Sequence, residues 1–125
     1  MKQKESEKTL EARLVREIEA RGGMALKYTS QFHRGIPDRI VLLPPGVLTF
    51  VELKSTGQTP TKLQMYAMGK LFKLGFDCKV IDSTESLNEY LAAVDATLEM
   101  LPDLTKKREE LLEEMGLSCP EIRKV

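Results

Sequence analysis

Histidine and cysteine are scarce in this chain, and tryptophan is missing. His33 is the one histidine, and Cys78 and Cys119 are the two cysteines. Neither cysteine stands at metal-ligand spacing from a second Cys or a His, which excludes a zinc site and leaves a buried thiol and a tail thiol. Long apolar runs are also lacking, so nothing approaches a bilayer span. The first residues, Met1-Lys2-Gln3-Lys4-Glu5, lead into further charge rather than an apolar stretch, which predicts no secretory signal and a cytoplasmic protein. Net charge is absent too, with 19 Lys+Arg against 19 Asp+Glu. That excludes the bulk basicity of many nucleic-acid binders. Its distribution is uneven, however. Residues 1–94 carry 14 basic and 11 acidic side chains, net +3, and residues 95–125 carry 5 and 8, net −3. A phosphate-bearing partner is permitted by this balance without being demanded by it.

What is present fits one soluble domain: 125 residues, 42% hydrophobic and 30% charged. Leu10, Leu14, Val15 and Ile18 follow helical spacing and predict a helix over 7–21, started by Ser6 or Thr9 and ended by Gly22-Gly23. Met24 to Thr29 alternates as a short strand. Arg39 to Leu43 is a β-branched apolar run that reads as a buried strand. Pro44-Pro45-Gly46 turns the chain, and Val47 to Lys54 returns as the second strand of a hairpin. Thr59-Pro60 offers a capping hydroxyl and a first-turn proline for a helix reaching Leu74, with Gly75 as its stop. Cys78 to Asp82 is a strand, and Ser83 to Leu98 a helix. The order α-β-β-β-α-β-α predicts an α/β domain with a mixed sheet flanked by helices over residues 1–98. A further amphipathic helix after Pro102 belongs to a C-terminal extension, 99–125, packed either on its own domain or at a dimer contact.

The chemistry-bearing residues converge from separate segments. On the strand 48–54, Leu48, Phe50, Glu52 and Lys54 share a face. A central strand rarely carries charges inside it, but these two sit at its end, where a pair taken alone reads as a solvated, loosely paired strand end. Asp38 opens the preceding strand, so the hairpin brings Asp38 and Glu52 to the same end as neighbours. Two adjacent carboxylates repel, one is pushed toward protonation, and a divalent cation such as Mg²⁺ removes that cost. On the first helix Glu11 falls inside the apolar arc, and Glu7 projects there if the helix starts early enough. Gln64 falls on the apolar stripe of the later helix, turned toward the sheet. Each of these has an ordinary reading as a solvated or satisfied structural residue, and the short strings alone are weak.

Together, Gly35-Ile36-Pro37-Asp38-Arg39, a gap of 13 residues, Phe50-Val51-Glu52-Leu53-Lys54 and then Gln64 resemble the VRR-NUC (virus-type replication-repair nuclease) family of the PD-(D/E)xK superfamily. The similarity spans about residues 7 to 91. It implies a restriction-endonuclease-like core and a metal-dependent endodeoxyribonuclease. Carried over by position, Asp38, Glu52, Lys54 and Gln64 match the catalytic residues. Glu11, Asp38, Glu52 and the backbone carbonyl of Leu53 match the metal ligands, with Mg²⁺ as the cofactor and Mn²⁺ as its substitute. Small members are phage or prophage proteins that look like homodimers cutting branched DNA, four-way (Holliday) junctions above all, in a DNA-repair setting. Lys27, Arg34, Arg39 and Lys62 stand near the same sheet end as candidate phosphate contacts. The competing readings are a nucleic-acid-binding or adaptor module without catalysis, and a flap or restriction-type nuclease.

Overall fold

The computed structural model describes residues 4–117, so Cys119 lies outside the described residues. The elements run α1 (Glu7–Ala20), β1 (Met24–Lys27), β2 (Arg39–Leu43), β3 (Val47–Leu53), α2 (Lys62–Lys73), β4 (Asp77–Ile81), α3 (Thr84–Glu99) and α4 (Leu101–Glu114). The expected order is the observed one, and the differences lie at element ends. Thr61, not Thr59, caps α2: its hydroxyl accepts from the Gln64 N–H at 3.1 Å, and the helix starts at Lys62. β1 ends at Lys27, two residues before Thr29.

The four strands form one mixed sheet in the order β1-β2-β3-β4. The first three are antiparallel neighbours, and β4 runs parallel to β3. A parallel neighbour cannot be reached by a tight turn, and α2 supplies the crossover.

Alternation along the strands decides what each face carries. Val41, Val51, Leu53 and Ile81 point to one face, where Leu10, Leu14 and Ile18 of α1 and Leu87, Leu91 and Val94 of α3 close the core over them. Each such fully buried aliphatic side chain contributes about 1.5–3 kcal/mol relative to exposure. The intervening residues, among them Ile40, Phe50 and Cys78, point to the other face. α2 lies there, with the Cys78 thiol 3.9 Å from the Met68 carbonyl. Of α2 only Ala67 is buried, so this face is thinly covered. α4 buries none of its residues, and Arg108 lies beside Gly46 at the hairpin turn. Among the described residues no helix is long and apolar enough to cross a membrane.

Candidate active site

The segment before β2 is held at three points. Pro37 is fully buried, which anchors the entry to the strand. The Tyr28 N–H donates to the Asp38 carbonyl at 2.7 Å and fixes the backbone of the carboxylate. Gly35 takes φ +84°, and a Cβ added there would stand 2.6 Å from the Leu63 carbonyl oxygen. The loop therefore runs directly against the backbone of α2, a path only glycine allows. Gly35→Ala is expected to cost about 1–2 kcal/mol for the left-handed backbone alone, with the collision added to it. Chemical denaturation measures that loss, and cleavage should fall with it as Asp38 shifts relative to α2.

The β2–β3 register pairs Arg39 with Val51, and one step further along it Asp38 stands opposite Glu52. Both project to the α2 face. Glu52 is only 6% exposed. Burial pushes its carboxyl above the ordinary glutamate value, and the charge of Asp38 pushes it further. Lys54 offsets part of that rise, and Glu7 adds to it. Two donors meet one oxygen: the Gln64 side-chain amide reaches Glu52 Oε1 at 2.9 Å, and Lys54 Nζ lies 3.5 Å from it. Gln64 is oriented by its own helix, because its side-chain carbonyl accepts from the Thr61 N–H at 2.9 Å and leaves the amide aimed at Glu52. Lys54 is tied by its backbone N–H to the Ile81 carbonyl at 2.9 Å. The structure thus brings Asp38, Glu52, Lys54 and Gln64 together. The side chain of Leu53 packs in the core, so only its backbone carbonyl is left to serve as a ligand.

Glu11 is not brought to this group. The apolar arc of α1 packs on the opposite face of the sheet, and a residue within that arc follows it there. Glu11 Oε1 lies 2.6 Å from Arg39 Nη2, and Arg39 is itself on the α1 face and 6% exposed. Arg39 Nε is buried with no hydrogen-bond partner among the described residues. Arg39 accordingly holds α1 to the sheet and does not present itself to a phosphate. Among the described residues, no group of three or more His, Cys, Asp and Glu side chains is placed to hold a metal. The pair Asp38 and Glu52 does fit a divalent cation, because it consists of hard oxygen donors, and burial followed by the charge of Asp38 raises Glu52. The α1 carboxylate whose charge reaches Glu52 is Glu7, one turn before Glu11. The start of α1 is pinned toward that end of β3, with the Glu5 N–H donating to the Thr56 hydroxyl at 3.0 Å and the Thr56 N–H to the Glu5 carbonyl at 3.1 Å. Glu11→Gln should therefore destabilise the fold by about 1–3 kcal/mol, by leaving a buried guanidinium under-paired. It should leave metal affinity unchanged; a tenfold loss in calorimetry would instead make Glu11 a ligand.

The remaining candidates are dispersed. Lys27 is exposed at the end of β1 and Lys62 at the first turn of α2. Arg34 is exposed on the loop before Asp38, facing a cavity beside α2.

The chain as a whole is similar to known proteins. No family model matches the chain. Over 89 residues it is 43% identical to "Putative nuclease p44" of Acyrthosiphon pisum secondary endosymbiont phage 1, covering 71% of this chain and 95% of that protein. A solved VRR_NUC domain superposes with a TM-score of 0.66 at 26% identity, over 70% of this chain and 97% of that one. The chain belongs to the VRR-NUC nuclease family. Its four-stranded sheet with flanking helices is the VRR-NUC core, of restriction-endonuclease type.

Proposed function

We propose that this VRR-NUC protein is a Mg²⁺-dependent, structure-specific endonuclease that hydrolyses phosphodiester bonds in branched DNA, four-way junctions first among them. The observation that carries this reading is Glu52, raised by burial and then by Asp38 at its side, and held on one oxygen by Gln64 and Lys54. A carboxylate kept in that state is unfavourable for folding and favourable for a cation.

Asp38, Glu52 and the Leu53 carbonyl are the groups that would hold the ion, with Mn²⁺ as a substitute. When bound, such an ion lowers the pKa of its water and offsets charge on the scissile phosphate. Gln64 fixes Glu52 Oε1 and so orients the carboxylate toward the ligand. Lys54, anchored at its backbone, sets its ammonium beside the carboxylate, where it positions the attacking water and opposes the charge that develops on the phosphate. In-line attack leaves a 5′-phosphate and a 3′-hydroxyl. Lys27, Arg34 and Lys62 are exposed and available to the DNA backbone.

A homodimer belongs to this reading, because paired symmetrical cuts in a junction need two related sites. Apolar side chains left exposed on β1 and at the C-terminal end of α4, Met24, Leu26, Leu111 and the capping Met115, supply surface for a second copy. Residues 99–125 then serve as an extension of the 1–98 nuclease domain at that contact. By its likeness to the phage protein, the setting is a phage or prophage gene product working in the cytoplasm of a bacterial host.

Cleavage of labelled four-way junctions, flaps, nicked duplexes and plain duplexes in Mg²⁺, Mn²⁺ or EDTA, beside a solution mass, tests the proposal. Junction cutting by a dimer, abolished by EDTA, supports it. Metal-independent cutting, or binding with no cutting of any substrate, overturns it in favour of a non-catalytic nucleic-acid module. A preference for flaps by a monomer overturns the junction assignment.

A further inference from the structure

A cavity of about 640 Å³ opens between the loop leading to Asp38 and the outer side of α2. Its volume is that of a small-molecule site. Its floor is apolar, made by Ile36, Ala67 and Leu71. Two aromatic rings stand at its mouth: Phe32 is 90% exposed and Tyr66 is 63% exposed. Two bare rings beside an apolar floor make a contiguous exposed patch of the kind that marks a binding site. The polar part of the rim is Arg34, Lys70 and His33, and among the described residues no carboxylate lines the cavity. Lys70 Nζ sits 4.7 Å from the centroid of the Tyr66 ring, which steadies the ring and keeps a positive charge at the rim. The cavity adjoins the carboxylate pair: Ile36 is two residues from Asp38, and Leu63 and Ala67 flank Gln64 on α2.

Apolar floor, bare aromatic rings and a cationic rim free of acidic groups suit one kind of occupant, a flat heteroaromatic group carrying phosphate on either side. We propose that this cavity receives an unpaired nucleobase of the DNA substrate, stacked against Phe32 and Tyr66, with its flanking phosphates met by Arg34 and Lys70. The proposal rests on the nuclease reading above and deepens it. Bases at a branch point are free to unstack, and a duplex offers none without disruption. The cavity would therefore select branched over continuous DNA by the availability of a base, next to the bond to be cut.

The test uses the full chain with Ca²⁺ in place of Mg²⁺, and a duplex carrying one unpaired 2-aminopurine beside a fully paired duplex of equal length. Stacking on the rings should quench the 2-aminopurine. Phe32→Ala and Tyr66→Ala should each abolish the quench and weaken binding of the unpaired DNA about tenfold, as expected for losing one base–aromatic stack. Binding of the paired duplex should be unchanged, and Tyr66→Phe should restore the quench. Equal losses on both DNAs, or no quench by the parent protein, overturn the proposal. So does a fall in solution mass on Phe32→Ala or Tyr66→Ala, which would make the groove a contact between copies of the chain. Quenching by a parent protein that cuts no DNA leaves the cavity assignment standing and removes the nuclease reading. Junction cutting without quenching does the reverse.

Discussion

Glu52→Gln should lose cleavage and gain stability in the metal-free protein. The loss follows from removing a charged oxygen donor from the pair that would bind the cation. Such an ion is worth several kcal/mol at the transition state, which amounts to a thousandfold or more in rate. The gain follows from burial: Glu52 is 6% exposed and faces Asp38, and both effects raise its carboxyl. Glutamine keeps the shape and can still accept from Gln64, while the repulsion disappears. The pH dependence has a definite direction. The folded chain holds this proton more tightly than the unfolded chain, so metal-free stability declines as pH rises from the ordinary glutamate value through the raised one. Above that, the penalty is fully present. Glu52→Gln should flatten this part of the profile, and a thermal melt in EDTA across acidic to neutral pH measures it. A variant that melts lower than the parent at neutral pH would mean that Glu52 stabilises the fold.

Lys54→Met should slow cleavage by about 10²–10³-fold, the usual effect of removing one group that opposes transition-state charge. Metal affinity should be kept within a few-fold, because the oxygen donors remain. Lys54 Nζ lies 3.5 Å from Glu52 Oε1, and its side chain is 16% exposed, so it acts in a partly dry setting where its charge is weakly screened. Calorimetry with Mg²⁺ and single-turnover cleavage separate the two effects. If metal binding collapses together with rate, Lys54 serves to hold Glu52 in place and has no role of its own at the phosphate.

Much of this was legible in the chain because strand registry is a local matter. Pro44-Pro45-Gly46 sets the turn, and counting outward from it places Asp38 across from Glu52. Lys54 follows by alternation, and Gln64 by its place on a helical stripe. Glu11 shows where such counting stops. A helical wheel puts it in the apolar arc correctly, but a wheel carries no information on which side of the sheet that arc will cover. The arc went to the α1–α3 face and the carboxylate pair to the α2 face, and the side chain found Arg39. The charge of Glu7, kept open beside Glu11, is felt at Glu52, and Glu5 and Thr56 tie the start of that helix to the far segment, a contact across 51 positions in sequence. The capping residue was misplaced for a related reason. Thr59 with Pro60 and Thr61 with Gln64 are both acceptable starts, and only the second lets Gln64 hold its own helix end and the buried carboxylate at once. The stacking cavity had a signal in Phe32-His33-Arg34, an aromatic followed by two ring or guanidinium donors, but its other wall comes from α2.

Gln64 spends both ends of one amide group. Its oxygen closes the first turn of α2 and its nitrogen holds Glu52. The start of that helix and the aim of the carboxylate are therefore a single event. Whenever the first turn frays, Glu52 is released at the same moment. Slowed hydrogen exchange in that turn would report an assembled site without any substrate being cut.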